Sequence, residues 1–278
     1  MGPVAASIVP PEGEHLVDGW EPDLPAGDTL VRQAVHVHAS WSVAVARSAG
    51  RPWRAGPGWA GGWIGDRGAL TNPVVLLRPP ADPPAVLQEI DSLFPAHVPY
   101  LLVSAFPLPQ LRRHGLALLG HPPLMVRLPG SAPDAAAREP RAPSVQVRPV
   151  RDAQELALAE RVLVDGYPMP DLEPLGVGDL LGPSILTGPT HVWLAWLDDR
   201  PVAVSAAHQS AGVTLIEYVA TLPDARGLGA GSAVTWAATL SAPDQPAVLL
   251  ASDDGRPVYE RMGYRAIERW SAWLRPGR

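Results

Sequence analysis

Arg226-Gly227-Leu228-Gly229-Ala230-Gly231 lies between an apolar, strand-like run, Val213 to Thr221, and a helix-like run, Ser232 to Leu240. A strand that feeds a glycine-rich turn and then a helix N-terminus makes an anion cradle. No side chains block the turn, so its backbone amides point at a phosphate, and the helix dipole adds partial positive charge. Spacing separates the phosphate loops that could stand here. A Walker loop requires Gly-Lys-Ser/Thr, and this chain has no lysine, so all 22 of its basic residues are arginine. A dinucleotide fingerprint needs Gly-x-Gly-x-x-Gly and an acid about 20 residues further on, at the end of a second strand. Here position 232 is Ser, and Asp244 falls in a Pro-flanked turn. What remains is Arg-x-x-Gly-x-Gly, carried by Arg226, Gly229 and Gly231.

That loop resembles the pyrophosphate loop of the GNAT acetyltransferase superfamily, and two flanking stretches extend the resemblance. Val219 to Gly227 is similar to the family's Val-x-Pro-x-x-Arg-Gly approach. Tyr259-Glu260-Arg261-Met262-Gly263-Tyr264 is similar to its Tyr-x-x-x-Gly-Phe/Tyr signature, about 30 residues after the loop and preceded by a buried-strand run, Ala247 to Ala251. Taken singly, glycines after a strand make a tight turn and a tyrosine on an apolar helix face belongs to a core. Their order and separation set this sequence apart.

The resemblance implies an acyl-CoA donor, acetyl-CoA in the first place, and a small-molecule amine as acceptor. The cofactor strand is expected to bulge near Val219, Ala220 and Thr221 and to splay from the strand at Val248 to Ser252. Main-chain groups of Val219 and Thr221 would then pair with the pantetheine amides, as an exposed strand edge accepts an extended ligand. The amides of Gly227, Leu228, Gly229, Ala230, Gly231 and Ser232, after Arg226, would take the pyrophosphate. An amide at the bulge would face the thioester oxygen as it gains charge. Tyr259 matches the family's thiolate-protonating tyrosine, its phenol staying protonated at neutral pH with a pKa of about 10.

For the base, Glu217 is nominated: it precedes the bulge, and strict strand alternation would place it on one face with Val219 and Thr221. An ordinary glutamate, at a pKa of about 4, is too weak for the task unless burial raises it or a water relays the proton, and a solvated strand-face charge is the plain alternative. Where the family often has Asn, seven residues before the tyrosine, this chain has Ser252; Ser252 and Arg256 are further candidates to touch the cofactor. His208 reads as a hairpin-end group, solvated or relaying protons. By the same resemblance, Asp165, Asp171, Asp253 and Asp254 fall in loops that rim the family's acceptor cleft, where acids would favour a cationic amine; random surface acids are the alternative.

Composition bounds the rest. With 278 residues, 46% of them apolar, and a net charge of -6, the chain can bury one large core or two modest ones, and two are expected here. The acidic balance and scattered arginines argue against a nucleic-acid or anionic-membrane partner, and with the intact loop they disfavour a tRNA-dependent transferase. With no cysteine there is no thiolate metal site, none of any kind being assigned, and no cysteine acyl-enzyme, so transfer should be direct. No run approaches the roughly 18 apolar residues of a membrane span, and the expected compartment is the cytoplasm, as monomer or homodimer.

The positioning elements follow from periodicity. A strand is expected at Val145 to Pro149, a helix at Asp152 to Asp165 capped by Asp152, and a Pro/Gly-broken helical region at Leu172 to Leu186. Strands at His191 to Leu197 and Val202 to His208 join through an Asp198-Asp199 hairpin turn. The fold class expected is α/β (α+β): a GNAT fold with a mixed, mostly antiparallel sheet flanked by helices.

Residues 129–143, rich in Pro and Ala, read as a linker between a half at 1–128 and a catalytic half at 144–278. Sliding the chain by 148 residues matches 101–127 with 249–275 at seven positions, among them Leu102/Leu250, Ser104/Ser252, Gly115/Gly263 and Arg127/Arg275. The first half therefore reads as a degenerate GNAT-like copy, with an unrelated α+β domain as the alternative. At the loop it has Arg78 to Pro83, whose prolines offer no amide, and at the tyrosine it has Leu111. Trp41, Trp53, Trp59 and Trp63, among Gly and Pro, read as core cover or as walls of a substrate cleft. Besides transfer to a small amine, a non-catalytic acyl-CoA sensor and a transferase acting on peptide N-termini are the readings left open.

Overall fold

A computed structural model describes residues 29–130, 145–167 and 169–277; most of the expected linker lies outside them. The first half runs α1 (Leu30–Ser48), β1 (Trp53–Ala55), β2 (Trp59–Gly62), β3 (Pro73–Leu76), α2 (Pro83–Asp91), β4 (Tyr100–Ser104), β5 (Ala117–Gly120) and β6 (Pro123–Arg127). The second runs β7 (Gln146–Pro149), α3 (Ala153–Gly166), β8 (Thr190–Leu197), β9 (Arg200–Ser210), β10 (Val213–Thr221), α4 (Ala230–Thr239), β11 (Ala247–Leu250), α5 (Arg256–Arg261), β12 (Arg265–Arg269) and β13 (Ser271–Arg275).

Side-chain caps set the starts of α1, α2 and α3. Asp152 accepts from the amides of Gln154 and Glu155 to open α3, and Thr29 accepts from Arg32 to open α1, each offsetting amides that have no partner within the helix. The hairpin between β8 and β9 turns on Asp198 and Asp199, both at positive φ, as a primed turn requires. The expected helix at 172–186 does not form. Two short 3-10 turns, Pro170–Leu172 and Pro183–Thr187, stand there instead. Buried Glu160 holds the segment between them by accepting from the amides of Gly178, Leu180 and Leu181.

The strands form two sheets, ordered β1-β2-β3-β4-β13-β5 and β12-β6-β11-β10-β9-β8-β7. Each half sends its last strand into the other's sheet. β6, assigned by sequence to the first half, pairs antiparallel with β11 and β12, and β13 pairs antiparallel with β4 and β5. The 148-residue shift maps β6 onto β13, β5 onto β12 and α2 onto α4, so the exchanged ends of the six- and seven-stranded sheets correspond. The repeated arginines fasten the exchanged strands: Arg127 donates to the Met262 carbonyl, and Arg275 donates to the carbonyls of Phe94, Pro95 and Ala96 and to Asp91. Gly115 and Gly263 both adopt left-handed φ, at 83° and 89°.

The core is not two separate ones. Its largest apolar cluster joins Val35, Trp41 and Val45 of α1 to Leu163 of α3, Val204 of β9 and Leu215 of β10. The reason is geometric: α1 packs on β2 and β3 of its own half and on β9 and β10 of the other, so burying its apolar face binds the halves. Each such side chain contributes about 1.5–3 kcal/mol.

Arg275 is 6% exposed, and its removal takes a donor from the buried Phe94 carbonyl, from the carbonyls of Pro95 and Ala96 and from Asp91. Arg275→Ala should lower unfolding free energy by about 3 kcal/mol in urea titration; an unchanged midpoint would show that the exchanged strand needs no such fastener.

Candidate active site

β10 and β11 run parallel but pair only at Thr214–Ala247 and Leu215–Val248. Past that point β10 bulges: its register with β9 slips between Glu217 and Ala220, and Tyr218 sits at φ 54°. A non-glycine residue there stores about 1–2 kcal/mol of strain. The bulge falls at Tyr218 and Val219, slightly earlier than the sequence suggested, and it breaks the alternation expected of Glu217, Val219 and Thr221. Ile216, Glu217, Tyr218 and Val219 all line one cavity as a result. Trp41 packs edge-on to the Tyr218 ring, 5.0 Å between centroids, and so holds the bulge from the other half.

The corresponding strands of the first half do not splay. β3 and β4 pair at Pro73–Leu101, Val74–Leu102 and Val75–Val103, and the last three map onto 249–251, where β11 has already parted from β10. The helix start is closed as well. Asp82 caps α2, its carboxylate accepting from the Ala85 amide, and Pro83 fills the first helical position.

In the second half the helix start is open. Gly229, at φ 88°, is the N-cap of α4 and offers no side-chain cap; other residues pay a steric penalty in that conformation. Among the described residues none accepts a hydrogen bond from the amides of 227–232. Gly231 lets α4 sit directly on β10, since a Cβ there would stand 2.6 Å from the Thr221 hydroxyl. Arg226 is exposed, yet it donates to the carbonyls of Thr221 and Gly166, so its side chain ties the loop to β10 and the end of α3.

The splay opens into a cavity of about 770 Å³ between the halves. Glu217 lies on its wall, 27% exposed, and burial pushes its carboxyl up to about 7, although a hydrogen bond to the Tyr218 backbone pulls the other way. Tyr259 lines the same cavity from α5, 9% exposed; burial, with smaller effects from Tyr167, Tyr264 and Glu217, raises its phenol above the usual range. Tyr167, similarly raised by burial, stands against Ser252, whose hydroxyl also accepts from the Gly255 amide ahead of α5. Arg256 pairs with Glu260 one turn on, at 2.7 Å, leaving its guanidinium committed to its own helix.

Several sequence readings change. His208 is not a solvated hairpin end: it is 1% exposed in β9, with Ser40 at 2.8 Å from Nε2 and Thr190 at 2.7 Å from Nδ1, and burial lowers its pKa to about 4. It pins the halves together. Asp165 lies in the last turn of α3 and pairs with Arg161; of the four rim acids, Asp253 reaches the cavity wall. Of the four tryptophans, Trp59 is core, Trp53 is exposed and Trp41 serves both as core and as cavity wall.

Sequence reasoning missed His38, which α1 delivers from the other half. It lines the cavity with Nε2 3.8 Å from Glu217 Oε1. A histidine in an apolar helix gives no distinguishing signal by itself. Only the packing of α1 on β10 does.

A splayed, bulged strand pair beside an open glycine-rich helix start is the arrangement that the sequence resemblance implied. Residues 160–264 match the family model described as Acetyltransferase (GNAT) family, and the second half of the chain carries a GNAT acetyltransferase domain. No curated protein matches the chain in sequence.

Among solved structures, a GCN5-related N-acetyltransferase from Kribbella flavida is 24% identical with a TM-score of 0.55, covering 86% of this chain and 96% of that one. A protein from Novosphingobium aromaticivorans, described as a GNAT-family acetyltransferase, is 16% identical with a TM-score of 0.51, over 84% and 96%. A functionally unknown conserved protein from Staphylococcus epidermidis is 16% identical with a TM-score of 0.53, over 81% and 93%. At these identities the likeness is one of fold, and it spans both halves.

Gly231→Val should push α4 off β10 and lower stability by about 1–3 kcal/mol in urea titration, with Thr221→Ala restoring most of the loss. Full stability in the single variant would show that the close seating is not needed.

Proposed function

We propose that the chain transfers an acetyl group from acetyl-CoA directly to the amine of a small molecule. One observation carries this reading: an amide-lined helix start with no acceptor among the described residues opens beside a splayed strand pair, and one cavity there holds a carboxyl raised to about 7 and a buried phenol. The amides of 227–232 hold the pyrophosphate, and the gap between β10 and β11 takes the pantetheine arm. The bulge at Tyr218 and Val219 turns main chain toward the thioester oxygen, where a donor steadies the charge that develops.

Glu217 takes a proton from the acceptor ammonium, a task for which a base titrating near neutral pH is well matched. The amine nitrogen then bonds to the acyl carbon, and the cationic nitrogen of the adduct gives up its second proton to solvent. As the carbon–sulfur bond breaks, Tyr259 supplies its proton to the departing sulfur. Solvent returns a proton to Tyr259 and removes one from Glu217. Burial keeps Tyr259 protonated until the thiolate forms, and Arg226 holds the loop rather than the ligand. The cytoplasm is the compartment this chemistry suits; no described helix is long and apolar enough to cross a membrane.

Free-thiol release from acetyl-CoA against a panel of small amines and peptides tests the reading, with calorimetry reporting cofactor binding. Tyr259→Phe should lower kcat about a hundredfold while the acetyl-CoA Kd stays unchanged; an unaltered rate removes Tyr259 from the chemistry. Binding without turnover of any acceptor would instead favour a sensor.

The wild-type kcat/KM should rise with pH through about 7, because Glu217 works only when deprotonated and its burial holds the proton up to that pH. Glu217→Gln should abolish that limb and slow turnover by about 10²–10⁴-fold. A limb that persists in Glu217→Gln assigns the base elsewhere.

A further inference from the structure

Resting on that acyl-transfer reading, we propose that His38 and Glu217 together seat the acceptor nitrogen, so that the acceptor is a primary or secondary amine on a largely apolar body bound at the junction of the two halves. His38 Nδ1 stands 2.7 Å from the Ala34 carbonyl oxygen. A carbonyl only accepts, so Nδ1 carries the proton and Nε2 presents a lone pair. His38 is 5% exposed, and its Nε2 has no hydrogen-bond partner among the described residues. The Trp270 ring, 4.9 Å away between centroids, fixes the imidazole plane.

Nε2 and Glu217 Oε1 are 3.8 Å apart, too far to bond one another and close enough to share a third group. Once Glu217 is deprotonated both are acceptors, and burial holds His38 neutral by lowering its pKa to about 4. The group that completes such a pair brings two donors. An ammonium does so, whereas a hydroxyl has one. When Glu217 takes its proton, the neutral amine keeps an N–H on His38, which aims the nitrogen lone pair at the acyl carbon. The rest of the acceptor faces Trp41, Leu101, Val103, Met169, Leu119 and Ala272, side chains from both halves that give the cavity an apolar wall. His38 is thus an acceptor-binding residue contributed by the half whose counterpart of the glycine loop carries prolines.

The test uses the full chain loaded with coenzyme A and the probes 2-phenylethylamine and 2-phenylethanol, followed by calorimetry. Wild type should bind the amine and not the alcohol. His38→Leu should weaken amine binding about tenfold or more and raise the amine KM, with coenzyme A affinity unchanged; His38→Gln, which restores an acceptor near Nε2, should recover most of it. Equal amine affinity in His38→Leu, or equal binding of the alcohol by wild type, overturns the proposal. The nitrogen-15 shift of His38 Nε2 in the wild-type protein provides an independent readout: it should move when the amine is added, and a fixed shift is a refutation. Coenzyme A that binds without any amine following removes this proposal alone, whereas failure of coenzyme A to bind removes the acyl-transfer reading beneath it.

Discussion

The exchange of terminal strands is the constraint on which the rest depends. With β6 between β11 and β12, and β13 between β4 and β5, neither sheet is continuous without a strand from the other half. That arrangement holds the halves face to face, and α1 fills the space between them. Its apolar side chains then bury against β10 as well as β3, which brings Trp41 to the bulge and His38 to Glu217. Site geometry is therefore a product of inter-half packing, and not a property of the glycine loop alone.

Comparison of the two halves shows how little separates an open cleft from a packed core. In the second half the parallel strands part after two residue pairs, a positive-φ tyrosine makes the bulge, and a glycine leads into α4 with its amides free. In the first half the strands stay paired, Leu111 is buried in a separate apolar cluster where the second half has Tyr259, and Asp82 occupies the helix start with its own carboxylate. An internal carboxylate at a helix N-terminus satisfies the same amides and dipole that an external phosphate would.

Legibility followed the range of the interactions. The glycine loop, the strand before it and the Asp152 cap rest on local chemistry, and each stands within a residue or two of its expected place. The 148-residue repeat was visible through positions such as Arg127/Arg275, because both arginines meet the same packing demand. Its consequence, strands crossing between sheets, was not, since identity at a shifted register does not say which sheet a strand enters. The helical region at 172–186 failed because Pro and Gly interrupt it and Glu160 offers its amides another partner. His38 and the buried role of His208 arise from contacts 179 and 168 residues apart in the chain, which no local pattern encodes. The bulge defeated the expected alternation at the one strand where alternation mattered.

The exchanged strands also set the order in which the molecule can assemble. The first sheet lacks an interior strand until residues 271–275 arrive, more than 160 residues after β4 has been made. Closing that gap is a contact of very long sequence separation, and such contacts slow folding because the chain entropy between them must be lost before the pairing is rewarded. The first half therefore emerges from synthesis with two unpaired edges, those of β4 and β5, and its folding waits on the second. Maturation of this chain is a single late event rather than two successive ones.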